Sequence, residues 1–209
     1  MKAARSIAIT LVSMLAWLTV AAETPVLAPP VPGPQAVMED LSSRLFADLD
    51  KQPKSIRHDA NKVRPLIDGL LTAHFDREYA AKLVLGQHWR TATPDQRQQF
   101  AVALYQRLLR TYAGAVAEWT QDRVKLLPLR SDPAALQVTV HTQVTGSGGV
   151  VPVDFRLRQT SEGWKIFDVI VDGVSYIRNY HDDTDAEVTQ KGLDAAIARL
   201  ARSDAGAVP

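Results

Sequence analysis

The sequence has no cysteine in 209 residues, and this absence excludes disulfides, thiolate nucleophiles and cysteine-ligated zinc or iron–sulfur centres. It also has almost no net charge, because 24 basic and 23 acidic residues leave a formal charge of +1. A nucleic-acid binder that depends on a basic field is therefore disfavoured.

Common catalytic and metal-binding motifs are missing as well. The five histidines, at positions 58, 74, 88, 141 and 181, lack metal-ligand spacing, so we predict no metal site and no cofactor. The glycine-rich stretch at 146–149 precedes a strand pattern, not the lysine and helix of a P-loop, and we interpret it as a hairpin loop. Neither a GxSxG elbow nor an SxxK motif occurs.

A signal peptide is predicted at the N-terminus. Lys2 and Arg5 precede an apolar run at 7–20, and the small residues that follow it predict cleavage after Ala22. A membrane anchor is the alternative, but the run is shorter than the roughly 20 residues that span a bilayer. Removal of residues 1–22 would leave 22 basic and 23 acidic residues, a formal charge of −1.

The rest of the chain divides into three parts. Residues 23–34 are rich in proline, which favours an extended linker that does not join a core. We predict a single domain over 35–203 and a flexible tail over 204–209. An exported domain without cysteine must be stabilised by packing alone.

Helical spacing dominates from Gln35 to Thr120. Apolar residues recur every four positions early in this region, and Pro65 is expected to break or restart the helix there. The clearest helix start is at Thr93, where Pro94 suits the first helical position and Gln96 completes a capping box.

After Gln121 the apolar period changes to two. We expect four strands at 124–129, 136–144, 151–157 and 164–171, joined by short loops into an antiparallel meander. A second capping-box pattern at 184–187 predicts the start of a closing helix. Helices, then strands, then a helix indicate an α+β fold in which helices pack on one face of the sheet.

Asp168 is the main candidate for acid–base chemistry, because it lies inside the most apolar strand, where burial can raise the pKa of a carboxyl group. It can equally pair with an arginine, and the following Asp172-Gly173 can simply turn the chain. We favour these structural roles for both aspartates.

Three segments taken together resemble one protein family. They are Phe75-Asp76 with LVLGQHWRTATPDQR at 83–97, LLRTYA at 108–113, and WKIFDVIVDGVS at 164–175 followed by Asn179-Tyr180. In this order they are similar to the MlaC family, also called the toluene-tolerance auxiliary family. The family usually continues with Arg-x-x-Phe, where this sequence has His181 and Thr184.

The resemblance implies a carrier of the periplasm that is not an enzyme. Family members are taken to move phospholipid between an outer-membrane lipoprotein–porin complex and an inner-membrane Mla ABC transporter, and so to maintain outer-membrane lipid asymmetry. It also implies helices on a curved four-stranded antiparallel sheet with an apolar cavity between them. Two acyl chains of about 15 methylenes carry roughly 24 kcal/mol of transfer free energy, so an open groove would not suffice.

The lipid-binding candidates are apolar residues on the helix and strand faces that would line such a cavity. They are Phe100, Leu104, Leu108, Val138, Val140, Val153, Phe155, Ile166 and Ile170.

Two alternatives stay open at this point. Helices over a sheet also describe the cone of nuclear transport factor 2 (NTF2)-like proteins, which hosts cavity enzymes, and Asp168 would then be the acid or base. The third possibility is an adaptor that docks on envelope machinery and has no ligand of its own. A cavity too small for acyl chains would favour the adaptor.

Overall fold

The computed structural model describes residues 32–57, 59–130, 132, 134–146 and 148–202. The predicted signal peptide, its cleavage point, most of the proline-rich linker and the predicted tail at 204–209 lie outside the described residues.

Helices occupy both ends of the described chain. The N-terminal group is α1 (Pro34–Asp50), α2 (Lys54–Arg57), α3 (Ala60–Leu71), α4 (Arg77–Leu85) and α5 (Pro94–Ala117), with short 3₁₀ helices at Gly86–Trp89 and Gln121–Arg123. The C-terminal group is α6 (Tyr176–Lys191) and α7 (Leu193–Ala201).

One antiparallel sheet separates the two helical groups along the chain. Its strands are β1 (Val124–Leu126), β2 (Gln137–Gly146), β3 (Gly149–Thr160), β4 (Gly163–Val171) and β5 (Val174–Ser175), and they lie side by side in sequence order. The predicted α+β fold with helices on an antiparallel meander is confirmed.

The prediction of four strands was one strand short, because β5 has only two residues. Asp172 and Gly173 turn the chain with φ values of 49° and 81°, and Val174 then pairs with Val171. Both conformations are left-handed, which aspartate tolerates and glycine favours in a tight hairpin turn. The structural role predicted for Asp172-Gly173 is confirmed.

The capping box at Thr93 forms as predicted. The Thr93 hydroxyl accepts from the Gln96 amide at 3.1 Å, and the Gln96 side chain accepts from the Thr93 amide at the same distance. Pro94 takes the first helical position, where its missing N–H costs nothing. The 24-residue helix α5 that follows buries Phe100, Leu104 and Leu108 in the core.

The second capping-box prediction was wrong. The N-cap lies nine residues earlier, at Ser175, whose hydroxyl accepts from the Arg178 amide, and the helix begins at Tyr176. Thr184 lies in the interior of α6 and is fully buried, and Gly192 (φ 84°) separates α6 from α7. Thr184 with Glu187 matches a capping box and Ser175 with Arg178 does not, but burial of Thr184 places it inside the helix.

The predicted helix break at Pro65 was also wrong. Pro65 lies inside α3, and the interruption falls between Arg57 and Ala60, where Asp59 caps the new helix by accepting from the Asn61 amide at 3.0 Å. Proline removes a single backbone donor, and tertiary packing of Val63 and Ile67 on the same helix keeps the turn intact.

A bulge in β4 changes which side chains share a face of the sheet. Leu157 pairs with Ile166 and Arg156 pairs with Asp168, so Phe167 is an extra residue between them. Ile166 and Val169 therefore face the same side as Phe155, whereas Ile170 faces the opposite side with Arg156. Strict alternation would have placed Ile166 and Ile170 together.

Gly86 supports a close contact between α4 and α6. It ends α4 at φ 52°, and a Cβ atom built there would lie 2.8 Å from Cε1 of His181. The His181 Nδ1 in turn donates to the Val84 carbonyl at 2.9 Å. The histidine ring therefore occupies the space that any side chain at position 86 would need.

We expect Gly86→Ala to lower the free energy of unfolding by about 1–3 kcal/mol, because it combines a left-handed backbone with this collision. Urea denaturation measures the loss. Gly69→Ala is the matched control: it lies in α3 with no neighbour within 4 Å and should stabilise by about 0.5–1 kcal/mol. Equal midpoints for Gly86→Ala and the unchanged protein would contradict the prediction.

Candidate functional site

An apolar cavity lies between the N-terminal helices and the sheet. Helix α1 forms its roof, α3 and the end of α5 form one side, and β1, β2 and β3 form its floor. Its volume is about 110 Å³. Its lining residues are Met38, Leu41, Ser42, Leu45, Phe46, Ile67, Leu70, Leu71, Val116, Trp119, Val124, Leu126, Thr142 and Phe155.

The chemistry of this lining is almost uniform. No charged side chain of the described residues contributes to it, and Ser42 and Thr142 are the hydroxyls. Thr142 is buried and donates to the Val153 carbonyl, so its hydroxyl is already engaged within the sheet. A site of this kind favours hydrocarbon and offers no group for acid–base or nucleophilic chemistry.

The roof helix is held by polar contacts at its two ends. At the start of α1, the Gln35 side chain accepts from the Leu129 amide at 2.9 Å. At its end, Asp50 pairs at 2.8 Å with Arg57, which also donates to the Trp119 carbonyl at 2.9 Å. The middle of α1 lies over the cavity and contacts it through apolar side chains.

The structure brings one of the nine candidate lipid-binding residues, Phe155, into this cavity. Six others belong to the packed core and are not part of the cavity lining: Phe100, Leu104, Leu108, Val138, Val140 and Ile166. Val153 is buried on the sheet, and Ile170 lines a separate groove on the opposite face because of the β4 bulge. A role in lipid contact stays a prediction for all nine.

Sequence reasoning missed the contribution of α1 and α3. The apolar repeat of α1 was recognised, but an apolar helix face looks the same whether it meets side chains or a cavity. The available signal was Ser42, a small polar residue between Leu41 and Leu45 on that face.

Asp168 ties β4 to the start of α6. Its side chain is fully buried and accepts from the Ser175 hydroxyl at 2.7 Å and the Ile177 amide at 3.0 Å. Arg156 lies 3.7 Å away. Burial raises the pKa of Asp168 above the ordinary aspartate value, against the lowering effect of these partners. No histidine or tyrosine of the described residues contacts it, so its role is structural.

His181 and Thr184 stand where the resemblance implied an arginine and an aromatic residue. His181 links α6 to α4 by its hydrogen bond to the Val84 carbonyl. Thr184 is buried, and its hydroxyl has no hydrogen-bond partner among the described residues. Both positions therefore serve packing between helices.

Within the described residues, no helix is long and apolar enough to cross a membrane. The same residues contain no group of three or more histidine, aspartate or glutamate side chains arranged to hold a metal ion.

Helices packed over an antiparallel sheet, with an apolar cavity between them, are the architecture of a class of α+β proteins with pockets suited to apolar ligands. Within this class, residues 39–202 match the model of the MlaC protein family, and the chain belongs to that family. Family membership confirms the prediction that the chain is not an enzyme, and Asp168 is not the acid or base of a cavity enzyme.

Known relatives cover most of the chain. The intermembrane phospholipid transport system binding protein MlaC of Haemophilus influenzae is 21% identical over 174 residues, 81% of each chain. The toluene tolerance protein ttg2D of Pseudomonas putida is 25% identical over 188 residues, 89% of this chain and 83% of the relative.

A solved structure supports the same assignment. The phospholipid-binding protein of Ralstonia solanacearum, determined in complex with a phospholipid, superposes with a TM-score of 0.71 at 27% sequence identity. The match covers 82% of this chain and all of that protein.

Proposed function

We propose that this protein binds phospholipid acyl chains in the cavity beneath α1. The observation that carries the proposal is the apolar lining of that cavity, in a fold that the Ralstonia protein shares and uses in complex with a phospholipid. Apolar walls without buried charge suit acyl chains, whose burial is favourable by about 0.8 kcal/mol per methylene.

The cavity must widen to hold a whole lipid. Its volume of about 110 Å³ is well below the roughly 300–1,000 Å³ typical of sites that enclose drug-sized ligands. The roof helix α1 is held by a few polar contacts at its ends and by Met38, Leu41, Phe46 and Leu49, which it buries in the core. We propose that α1 lifts from the sheet to admit lipid. Because the cavity is smaller than a whole lipid needs, the lipid-binding experiment below also tests the adaptor alternative.

The wider role we propose is a periplasmic shuttle. The protein would be exported by its predicted signal peptide and would carry phospholipid between an outer-membrane lipoprotein–porin complex and an inner-membrane Mla ABC transporter. The name of the Haemophilus relative, a binding protein of an intermembrane phospholipid transport system, supports this role. Maintenance of outer-membrane lipid asymmetry would be its outcome.

Native mass spectrometry tests lipid binding. Protein purified from cells without detergent should show adducts with the mass of a diacyl phospholipid. Solvent extraction of the same protein should recover this lipid. Delipidated protein should acquire these adducts again from phospholipid vesicles. Protein that stays lipid-free in both experiments would contradict phospholipid binding and favour the adaptor.

Transfer between vesicles tests the shuttle separately. Fluorescent phospholipid in donor vesicles should reach acceptor vesicles faster when the protein is added, and faster still when each vesicle population carries one of the two proposed complexes. Lipid binding without any acceleration would leave the binding proposal standing and overturn the shuttle.

A further inference from the structure

A second groove lies on the face of the sheet opposite the apolar cavity. Thr139 and Arg156 line it from β2 and β3, and their side chains face away from Thr142 and Phe155, which line the cavity. Side chains alternate between the two faces of a strand, so the sheet separates the two sites. This outer groove has a volume of about 510 Å³.

The polar lining of the outer groove is cationic. Arg156 faces it from the sheet, and Arg178 and His181 face it from α6. Arg178 and His181 are three residues apart on one helix, so they are neighbours on its surface. The hydroxyl groups of Tyr79, Thr139 and Ser175 complete the polar lining, and no carboxylate of the described residues is part of it.

The nearest carboxylates offset only part of this positive charge. Asp168, fully buried beneath the groove, pairs with one guanidinium nitrogen of Arg156 at 3.7 Å and accepts two hydrogen bonds from the start of α6. Asp154 is 3.0 Å from His141, and Asp185, near His181, is 2.9 Å from His88. Among the described residues no carboxylate forms an ion pair with Arg178, which lines the groove from α6.

The positions of Arg156, Arg178 and His181 favour a ligand of a particular shape. Arg156 is stacked on Phe167, with its guanidinium 4.9 Å from the ring centre, and this fixes the plane of its donors. His181 donates from Nδ1 to the Val84 carbonyl, which leaves Nε2 to accept from a protonated oxygen of an oxyanion. Donors on two sides of a groove suit a tetrahedral anion better than a planar one.

We propose that the outer groove binds a phosphoryl oxyanion, held between Arg156 of the sheet and the Arg178–His181 pair of α6. Guanidinium groups bind phosphate oxygens in pairs through charge-assisted hydrogen bonds. The hydroxyls of Tyr79 and Thr139 supply further donors, whereas the Ser175 hydroxyl already donates to Asp168. The oxyanion is either free phosphate or the headgroup of a phospholipid in a membrane surface. The site is independent of the lipid cavity proposed above.

A titration with inorganic phosphate tests the site. At constant ionic strength, NMR signals of residues around the outer groove should shift and saturate with added sodium phosphate. Arg178→Gln should weaken the apparent affinity about tenfold, because it removes charge-assisted hydrogen bonds. Because Arg178 is exposed, the Arg178→Gln variant should fold. The second variant is Arg156→Lys, which keeps a positive charge near Asp168.

The control separates a specific site from general attraction. Arg90→Gln removes one positive charge from another exposed position and should leave the phosphate affinity unchanged. Shifts that do not saturate, or that are equal in Arg178→Gln and Arg90→Gln, would overturn the proposal. If the outer groove does not bind phosphate but binds a synthetic poly-glutamate peptide, the phosphate proposal is also overturned, and the groove is a site for acidic peptides.

Vesicles distinguish the two sources of the anion. Sedimentation with phosphatidylglycerol vesicles that is lost in Arg178→Gln would support a lipid headgroup, and phosphate binding without vesicle binding would support free phosphate. Native mass spectrometry of Arg178→Gln should show the same fraction of protein with bound phospholipid as in the unchanged protein, since the apolar cavity is not altered. Failure of the outer groove is therefore distinguishable from failure of the proposed lipid carriage.

Discussion

Ser42→Trp is expected to remove at least nine-tenths of the phospholipid that co-purifies with the protein, roughly a tenfold loss of occupancy or more. Ser42 lines the cavity from α1, and an indole placed there fills a space of about 110 Å³. A cavity of roughly 150 Å³ holds one benzene molecule, so little room for an acyl chain would remain. Native mass spectrometry measures the bound fraction directly.

Ser43→Trp is the matched control for this experiment. Ser43 is the next residue of α1 and is exposed, so the same substitution adds an indole outside the cavity. Lipid occupancy should stay at the level of the unchanged protein. If Ser42→Trp keeps its lipid while its thermal stability is normal, the acyl chains bind elsewhere and the cavity is not the lipid site.

Asp168→Ala should lower the free energy of unfolding by about 3–5 kcal/mol, since removal of one partner from a buried polar arrangement leaves the others unpaired. The stranded groups are the Ser175 hydroxyl, the Ile177 amide and the Arg156 guanidinium. Asp168→Asn keeps the shape of the side chain and should cost less. Urea denaturation measures both variants.

The dependence on pH separates the charge of Asp168 from its shape. The pKa of this carboxyl group is raised in the folded protein, so the folded state retains a proton that the unfolded chain has released. Its contribution to stability is therefore fully present below the ordinary aspartate pKa of about 3.9 and is lost as the pH rises through the folded value. The deficit of Asp168→Asn should shrink over the same interval, and a deficit independent of pH would contradict the raised pKa.

Local interactions explain which parts of the fold were predictable. The capping box at Thr93 is made by residues three apart, and the strands of the meander show their period directly, so both were found from sequence. The start of α6 was not, because Thr184 with Glu187 satisfies the capping-box pattern better than Ser175 with Arg178, and only the burial of Thr184 places it inside the helix.

The site was less predictable than the fold for a related reason. Because Phe167 is an extra residue, the side chains of β4 on its two sides alternate in opposite order between the faces of the sheet. No periodic pattern in a sequence reveals such a bulge in advance. Ile170 was therefore expected on the same face as Ile166, whereas it faces the outer groove. The walls formed by α1 and α3 depend on where the packing leaves a gap, which is a property of the assembled helices and not of any one of them.

The order of the strands has a consequence for how the protein folds. Each strand pairs with its neighbour in the sequence, so the sheet can form by successive closure of short loops. The roof helix instead closes over a long distance along the chain, since Gln35 meets Leu129 across 94 positions. Long-range closure costs more chain entropy and comes later in folding. We therefore expect α1 to dock last on an otherwise assembled sheet, so that the element that admits lipid is also the last to be put in place.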